Sequence, residues 1–232
     1  MRATVYLIPI AIAEDGYDAV PAYISDKIEL CEIFFVENLR TARRAFKRIH
    51  KSFDIDARTW FEIGQKETSY VAEFKKAIEQ HKTIGIVSES GCPGIADPGQ
   101  RLVEIAQQLG AVVKPLSGPS SLLMALMASG MNGQSFSFNG YLPIEPRIRE
   151  SKVKELEKKC IQEQSSQMFI ETPYRNNQMM SSLLKACQSN TRLCVAFNIS
   201  SSAEWIRTKS IKEWREDVLE IPKEPVIFIL GV

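Results

Sequence analysis

No stretch of this sequence is apolar for long enough to cross a bilayer. The first candidate, TVYLIPIAI at residues 4 to 12, is interrupted by Pro9 and followed at once by Glu14 and Asp15. It is also too short and too soon charged for a signal peptide, so a cytoplasmic protein with no membrane partner is expected. An excess of one charge is lacking too: 29 Lys and Arg face 28 Asp and Glu, a formal net charge of +1. Binding to a polyanion would therefore have to come from a local patch. Histidine is nearly absent, with only His50 and His81, both at polar helix ends where a surface role is expected. The five cysteines, Cys31, Cys92, Cys160, Cys187 and Cys194, form no CxxC pair, which argues against zinc or a redox centre and for a reducing compartment. No metal site is expected. The chain contains neither the GK[ST] of a phosphate-binding loop nor the GxGxxG of a dinucleotide fold, so phosphate cradling is disfavoured.

What is present is an ordinary globular composition, 44% apolar and 25% charged over 232 residues. Apolar, β-branched runs at 4–12, 31–38, 58–63, 83–87 and 111–116 read as five strands. Between them, LRTARRAFKRIHKSF, SYVAEFKKAIEQHK and PGQRLVEIAQQLG read as amphipathic helices. Strands alternating with helices predict βαβ units and a parallel sheet, with ligands at the carboxyl ends of the strands. SGPSSLLMALMASG then opens a helix, and FSFNGYLP is a strand and turn. Beyond these come a charged helix over 146–160, a strand SQMFIET, a helix near 176–187, a strand RLCVAFNIS, a helix over 204–217 and a final strand PVIFILGV. This second α/β unit sets the expected domains at 1–117 and 118–232.

The stretch GIVSESGCPGIADPGQRLVEIA, residues 85 to 106, holds four glycines and two prolines between a strand and a helix. Asp97 followed by Pro98 suits a helix N-cap with proline in the first turn. Residues 88 to 95 need another account: Gly91 and Gly94 around Pro93 suggest a backbone that something approaches closely. PLSGPSS lies after the next strand, with Ser120 and Ser121 placed to cap a helix. Parallel strands that end together would bring both Gly-rich loops to one sheet edge.

From Ser88 to Pro143 the text SESGCPGIADPGQRLVEIAQQLGAVVKPLSGPSSLLMALMASGMNGQSFSFNGYLP resembles the tetrapyrrole methylase superfamily of S-adenosylmethionine methyltransferases. Within it, the chain is most similar to the branch that methylates a ribosomal cytidine ribose 2′-hydroxyl, whose pattern reads SDAGTPxxxDPG, PLPGPSA and FxGFLP. YLIP, ENLR at 37–40, FIETPYR at 169–175 and EPVIFILG hold corresponding places. The resemblance implies a Rossmann-like, mostly parallel N-terminal sheet and a mixed C-terminal sheet, with the cofactor in a cleft between the domains, and a homodimer. It implies S-adenosyl-L-methionine contacts at Ile10, Ser88, Gly91, Cys92, Ile95, Ser120 and Ser121, with Ile170 and Pro225 from the second domain.

A ribose hydroxyl acceptor needs a base or an environment that favours its alkoxide. Glu89, Glu37 and Glu171 are the catalytic candidates, and Arg40, Arg44 and Arg175 the contacts to substrate, ribosomal RNA or the small ribosomal subunit. The helix face Arg40, Arg44, Lys47, Arg48 and Lys51 suits an RNA backbone or plain solvent, and PRIRESKVKELEKK is either a lid or a solvated surface. Departures from the branch are PIAIAED for PTPIGNL, VENLR for AEDTR, SESG for SDAG, and Asn198 where an acidic residue stands. These leave open a tetrapyrrole carbon as acceptor, or a cofactor-binding protein with weakened catalysis.

Overall fold

The computed structural model describes residues 2–64, 67–217 and 219–232, and two compact units divide the chain, Met1–Ser120 and Ser121–Val232. In the first unit β1 (Thr4–Ile8), β2 (Ile33–Val36), β3 (Thr59–Glu62), β4 (Thr83–Val87) and β5 (Val112–Pro115) form an all-parallel sheet of order β3-β2-β4-β1-β5. The central strands are apolar at nearly every position because both faces are covered. On one face pack Phe35, Phe74, Ile84, Ile86 and Leu102, and on the other Ile8, Phe34, Phe46, Phe53 and Val87. Gly85 in β4 leaves room for that second layer: a Cβ there would lie 2.6 Å from Phe34 and 2.8 Å from Ile8.

The helices of this unit are α1 (Ile24–Leu30), α2 (Leu39–Ile49), α3 (Glu67–Glu79) and α4 (Gln100–Gln108). Asn38 caps α2 by accepting from the Thr41 amide at 3.0 Å. The predicted cap of α4 is corrected by the structure. Gly99, not Asp97, is the N-cap, at φ +124°, and no side chain caps the helix. A side chain at Gly99 would be strained, so the chain turns into α4 on a glycine and leaves Asp97 in the loop before it.

In the second unit β6 (Phe136–Tyr141), β7 (Ser166–Glu171), β8 (Arg192–Phe197), β9 (Trp205–Ser210) and β10 (Val226–Gly231) form a mixed sheet of order β6-β7-β10-β8-β9. Only β6 and β7 run parallel, while β10 is antiparallel to both neighbours. The helices α6 (Pro146–Glu163), α7 (Asn176–Ala186) and α8 (Ile211–Glu216) border a core of Leu156, Phe169, Leu183, Val195, Trp214 and Phe228, and α5 (Ser121–Ser129) packs against β9 and β10. The helix expected over 204–217 is half strand. WIRTKS pairs with β8, and α8 starts only after Ser210, which forms a reciprocal capping box with Glu213.

Candidate functional site

Three loops leave the carboxyl ends of the adjacent strands β4, β1 and β5, the place where parallel sheets bind ligands. They are tied to one another by short bonds. The Ile10 amide donates to Gly91 O at 3.0 Å, making an isolated antiparallel bridge between the loops after β1 and β4. The Cys92 thiol donates to Pro119 O at 3.3 Å and lies 3.8 Å from Gly118 O, joining the loops after β4 and β5. Gly118 meets Pro9 so closely that a Cβ would stand 2.2 Å from the proline ring. Ile10, Ser88, Gly91, Cys92 and Ser120 are thus held by one three-loop junction within the first unit.

The loop 88–99 is unusually shaped for a strand-to-helix turn. Gly91, Gly94, Ala96 and Gly99 all have positive φ, and Ala96 at +62° has no glycine's freedom to do so. Ser88 is buried and its hydroxyl donates to Ser90 O at 3.0 Å, bracing the turn. Ile95 is 54% exposed, an apolar side chain left outside the core, and a Cβ at Gly94 would meet nothing within 4 Å. Backbone groups and apolar surface therefore face open space here, a combination that suits a flat heterocycle better than a phosphate.

The charges around this loop are acidic. Glu37 follows β2 and accepts from the Glu89 amide at 2.9 Å, while Glu89 is exposed and its carboxylate lies 3.4 Å from the Thr41 hydroxyl. Asp97 is half-buried, and burial, reinforced by Glu37 and then Glu89, pushes its carboxyl up to about 6. Burial and the Asp97 charge likewise raise the Cys92 thiol. A ligand that carries positive charge would relieve this cluster.

Asp97 makes a testable contribution to folding. Between the ordinary aspartate value and about 6 the folded protein holds a proton that the unfolded chain has released. Its stabilising effect is therefore present at acid pH and lost as pH rises through that window. Asp97→Asn is expected to stabilise the protein at neutral pH by on the order of 1 kcal/mol, a figure reduced for solvent screening, and to flatten this part of the pH dependence. Urea unfolding of both proteins across the window measures it; equal differences at all pH values would contradict the assignment.

The other expected site residues belong to other segments of the chain. Ser121 opens α5 in the second unit, where Ile170 is half-buried in β7 and Pro225 is exposed just before β10. Ile170 pairs with Ile227 in the sheet, so residues 170 and 225 sit at the same end of two adjacent strands. Glu171 is no free base: its side chain is fully buried and its Oε1 accepts from Arg175 Nη2 at 2.5 Å and Nε at 2.9 Å. That ion pair also engages Arg175, expected as a substrate contact. The basic face of α2 is largely spoken for. Arg44 pairs with Glu14 at 2.8 Å, Arg48 donates to Glu14 O and stands over Tyr17, and Lys47 donates to Phe53 O at 2.6 Å. Arg40 is exposed at the start of the helix.

The cluster involving Asp97 was missed by sequence reasoning because the Asp-Pro pair imitates a helix start. Among the described residues no helix is long and apolar enough to cross a membrane, and no group of three or more potential ligands could hold a metal.

No family model matches the chain. It is 27% identical over 211 residues to ribosomal RNA small subunit methyltransferase I of Vibrio cholerae, covering 90% of this chain and 69% of that protein. To the protein of the same name from Buchnera aphidicola subsp. Schizaphis graminum it is 31% identical over 171 residues, 72% of this chain and 57% of the relative. For the Haemophilus influenzae protein the identity is 29% over 158 residues, 66% and 54% of the two chains. The chain thus spans between 54% and 69% of the length of these three relatives.

Among solved structures, the methyltransferase CobJ has a TM-score of 0.64 at 14% identity, covering 99% of this chain and 93% of that one. Uroporphyrin-III C-methyl transferase from Thermus thermophilus, complexed with S-adenyl homocysteine, has a TM-score of 0.59 at 12% identity over 99% and 97% of the chains. At such identities the likeness is one of fold.

Proposed function

We propose that this chain is a member of the tetrapyrrole methylase superfamily and an S-adenosylmethionine-dependent methyltransferase acting on small-subunit ribosomal RNA in the cytoplasm. The observation that carries the cofactor reading is the junction of the loops after β1, β4 and β5. It offers backbone groups and Ile95 to a ligand, and acidic rather than basic side chains around them. S-adenosylmethionine carries a flat adenine and a cationic sulfonium, which fit that set of groups; a nucleotide polyphosphate does not.

In this reading Ile10, Ser88, Gly91, Cys92, Ile95 and Ser120 hold the cofactor through main chain and apolar contact. The cofactor supplies an electrophilic methyl group on sulfur. The protein's task is to align an acceptor with it and to exclude competing water, which can account for most of the rate. Glu89, exposed, and Asp97, half-buried, stand at the loop as carboxylates that could take a hydroxyl proton. Glu37 positions Glu89 by accepting its amide. The preference for RNA over a tetrapyrrole rests on the sequence relatives, all the more because the tetrapyrrole enzymes share only the fold.

Labelled methyl transfer to small ribosomal subunits lacking their native methylations tests the activity. Incorporation into RNA is expected, and incorporation only into a corrin or porphyrin precursor would overturn the acceptor.

Cys92 offers a direct test of the cofactor's position. The other four cysteines are buried, so native alkylation should modify about one thiol per chain, slowly at neutral pH because the thiol is raised, and faster as pH rises. Saturating S-adenosylhomocysteine should block that reaction. Unchanged alkylation with the ligand bound would mean that the ligand sits elsewhere.

We further infer a homodimer formed through the apolar side chains that the second unit leaves exposed. Leu123 and Met127, one helical turn apart on α5, are 52% and 83% exposed, and Phe136 and Phe138 alternate along the edge strand β6. A second copy of the chain would cover them. Light scattering should report twice the 26.2 kDa chain mass, and Met127→Lys should halve it; a wild-type monomer would contradict the inference.

A further inference from the structure

The face expected to meet RNA, on α2, has most of its cations engaged inside the protein. The opposite holds for α6. Arg147, Lys154 and Lys158 are all exposed, and none of their side chains makes a hydrogen bond or ion pair among the described residues. Spacings of seven and four residues put the three on one side of the helix, spread over roughly 16 Å at 1.5 Å per residue.

The carboxylates that would ordinarily neutralise such a stripe are committed elsewhere. Glu150 pairs with Lys185 of α7 at 2.9 Å. Glu155 pairs with Lys152 at 2.8 Å and Lys159 at 3.3 Å. Glu157 is buried, accepting from the Gln188 amide at 2.7 Å and from the Thr191 hydroxyl. Glu145 caps the helix through the amides of Arg147 and Ile148. Glu163 lies on the far side of the helix from Arg147 by its spacing. Three uncompensated cations in a line remain on a chain whose net charge is only +1.

At the amino end of the stripe, β6 runs into α6 through exposed Tyr141 and Ile144, 58% and 72% accessible. An exposed aromatic residue leading into a row of cations is a pairing by which proteins hold single-stranded RNA, the ring stacking on a base and the cations tracking phosphates.

We propose that the Arg147, Lys154 and Lys158 face of α6, with Tyr141 at its end, is the surface that grips the RNA backbone and delivers the acceptor strand to the enzyme. This rests on the reading of RNA as substrate, and assigns it a surface that α2 does not supply. The stripe positions substrate; none of its residues is given a part in methyl transfer.

The test is the salt dependence of binding to a labelled single-stranded oligoribonucleotide by the full chain. Removing three phosphate contacts in Arg147→Gln/Lys154→Gln/Lys158→Gln should flatten the slope of log K against log salt by about 2 and weaken low-salt binding at least about tenfold. A control, Lys75→Gln/Lys76→Gln/Lys212→Gln, removes the same charge elsewhere and should leave the slope unchanged. Affinity for S-adenosylhomocysteine should be the same in all three proteins, so a failure of the stripe is separable from a failure of the methyltransferase reading. An unchanged slope in the stripe variant, an equal loss in the control, or wild-type binding to anionic vesicles but not to RNA would overturn the proposal.

Discussion

Arg175→Ala is expected to destabilise the protein by about 3–5 kcal/mol, the range for breaking a buried ion pair from one side. The Glu171 side chain is fully buried, and its Oε1 accepts two bonds from Arg175 and one from the Thr172 amide at 2.7 Å. Its other oxygen, Oε2, has no hydrogen-bond partner among the described residues. The guanidinium is thus the cation that compensates this charge, and its removal strands a carboxylate between β7 and α7. Denaturant unfolding measures the loss. Replacing both partners, as Glu171→Leu/Arg175→Met, should recover most of it, because the desolvation of two charges is removed together. A single-variant loss under about 1 kcal/mol would show that the pair behaves as a solvated surface bridge.

Gly118→Ala should strike at the ligand site itself. The added Cβ would stand 2.2 and 2.3 Å from Cγ and Cβ of Pro9, whose ring cannot rotate aside. One of the two loops must move, and Gly118 is followed by Pro119, whose carbonyl holds the Cys92 thiol. Overpacking of this kind costs about 1–3 kcal/mol, and displacement of the Gly91–Cys92 segment should lower S-adenosylhomocysteine affinity at least about tenfold. Gly94→Ala is the contrasting variant. Its Cβ would meet nothing within 4 Å, so only backbone strain at φ +80° opposes it, about 1 kcal/mol. Similar losses of affinity in both would mean that steric closeness at Pro9 is not what shapes the site.

The strands of the first unit were legible in the sequence because parallel strands buried on both faces are continuous apolar runs, as TVYLI and TIGIV show. The helix α1 was not: it has seven residues and no side-chain cap, too few for a period and no signal at its start. β9 reads as helix in the sequence because WIRTKS runs directly into helical text, although Ser210 and Glu213 mark the true start. Asp97 shows the limit of local rules. Asp-Pro-Gly reads as a helix cap, but Gly99 takes that place, and the carboxyl is left beside Glu89 and beside Glu37, which is 60 positions away in sequence. Likewise the burial of Glu171, and the use of Arg44 and Arg48 by Glu14, depend on contacts between distant segments that no spacing reveals. The glycine-rich loop stands out in the sequence because a simple turn does not need so many glycines, and Gly91, Gly94 and Gly99 do take positive φ.

Calorimetric titration of the wild-type chain with S-adenosylhomocysteine tests the central claim most directly. One saturable site per chain, lost or greatly weakened in Gly118→Ala while the variant stays folded, is the predicted result. A folded wild-type protein that gives no binding heat at millimolar ligand, with no protection of Cys92 from alkylation, would contradict it.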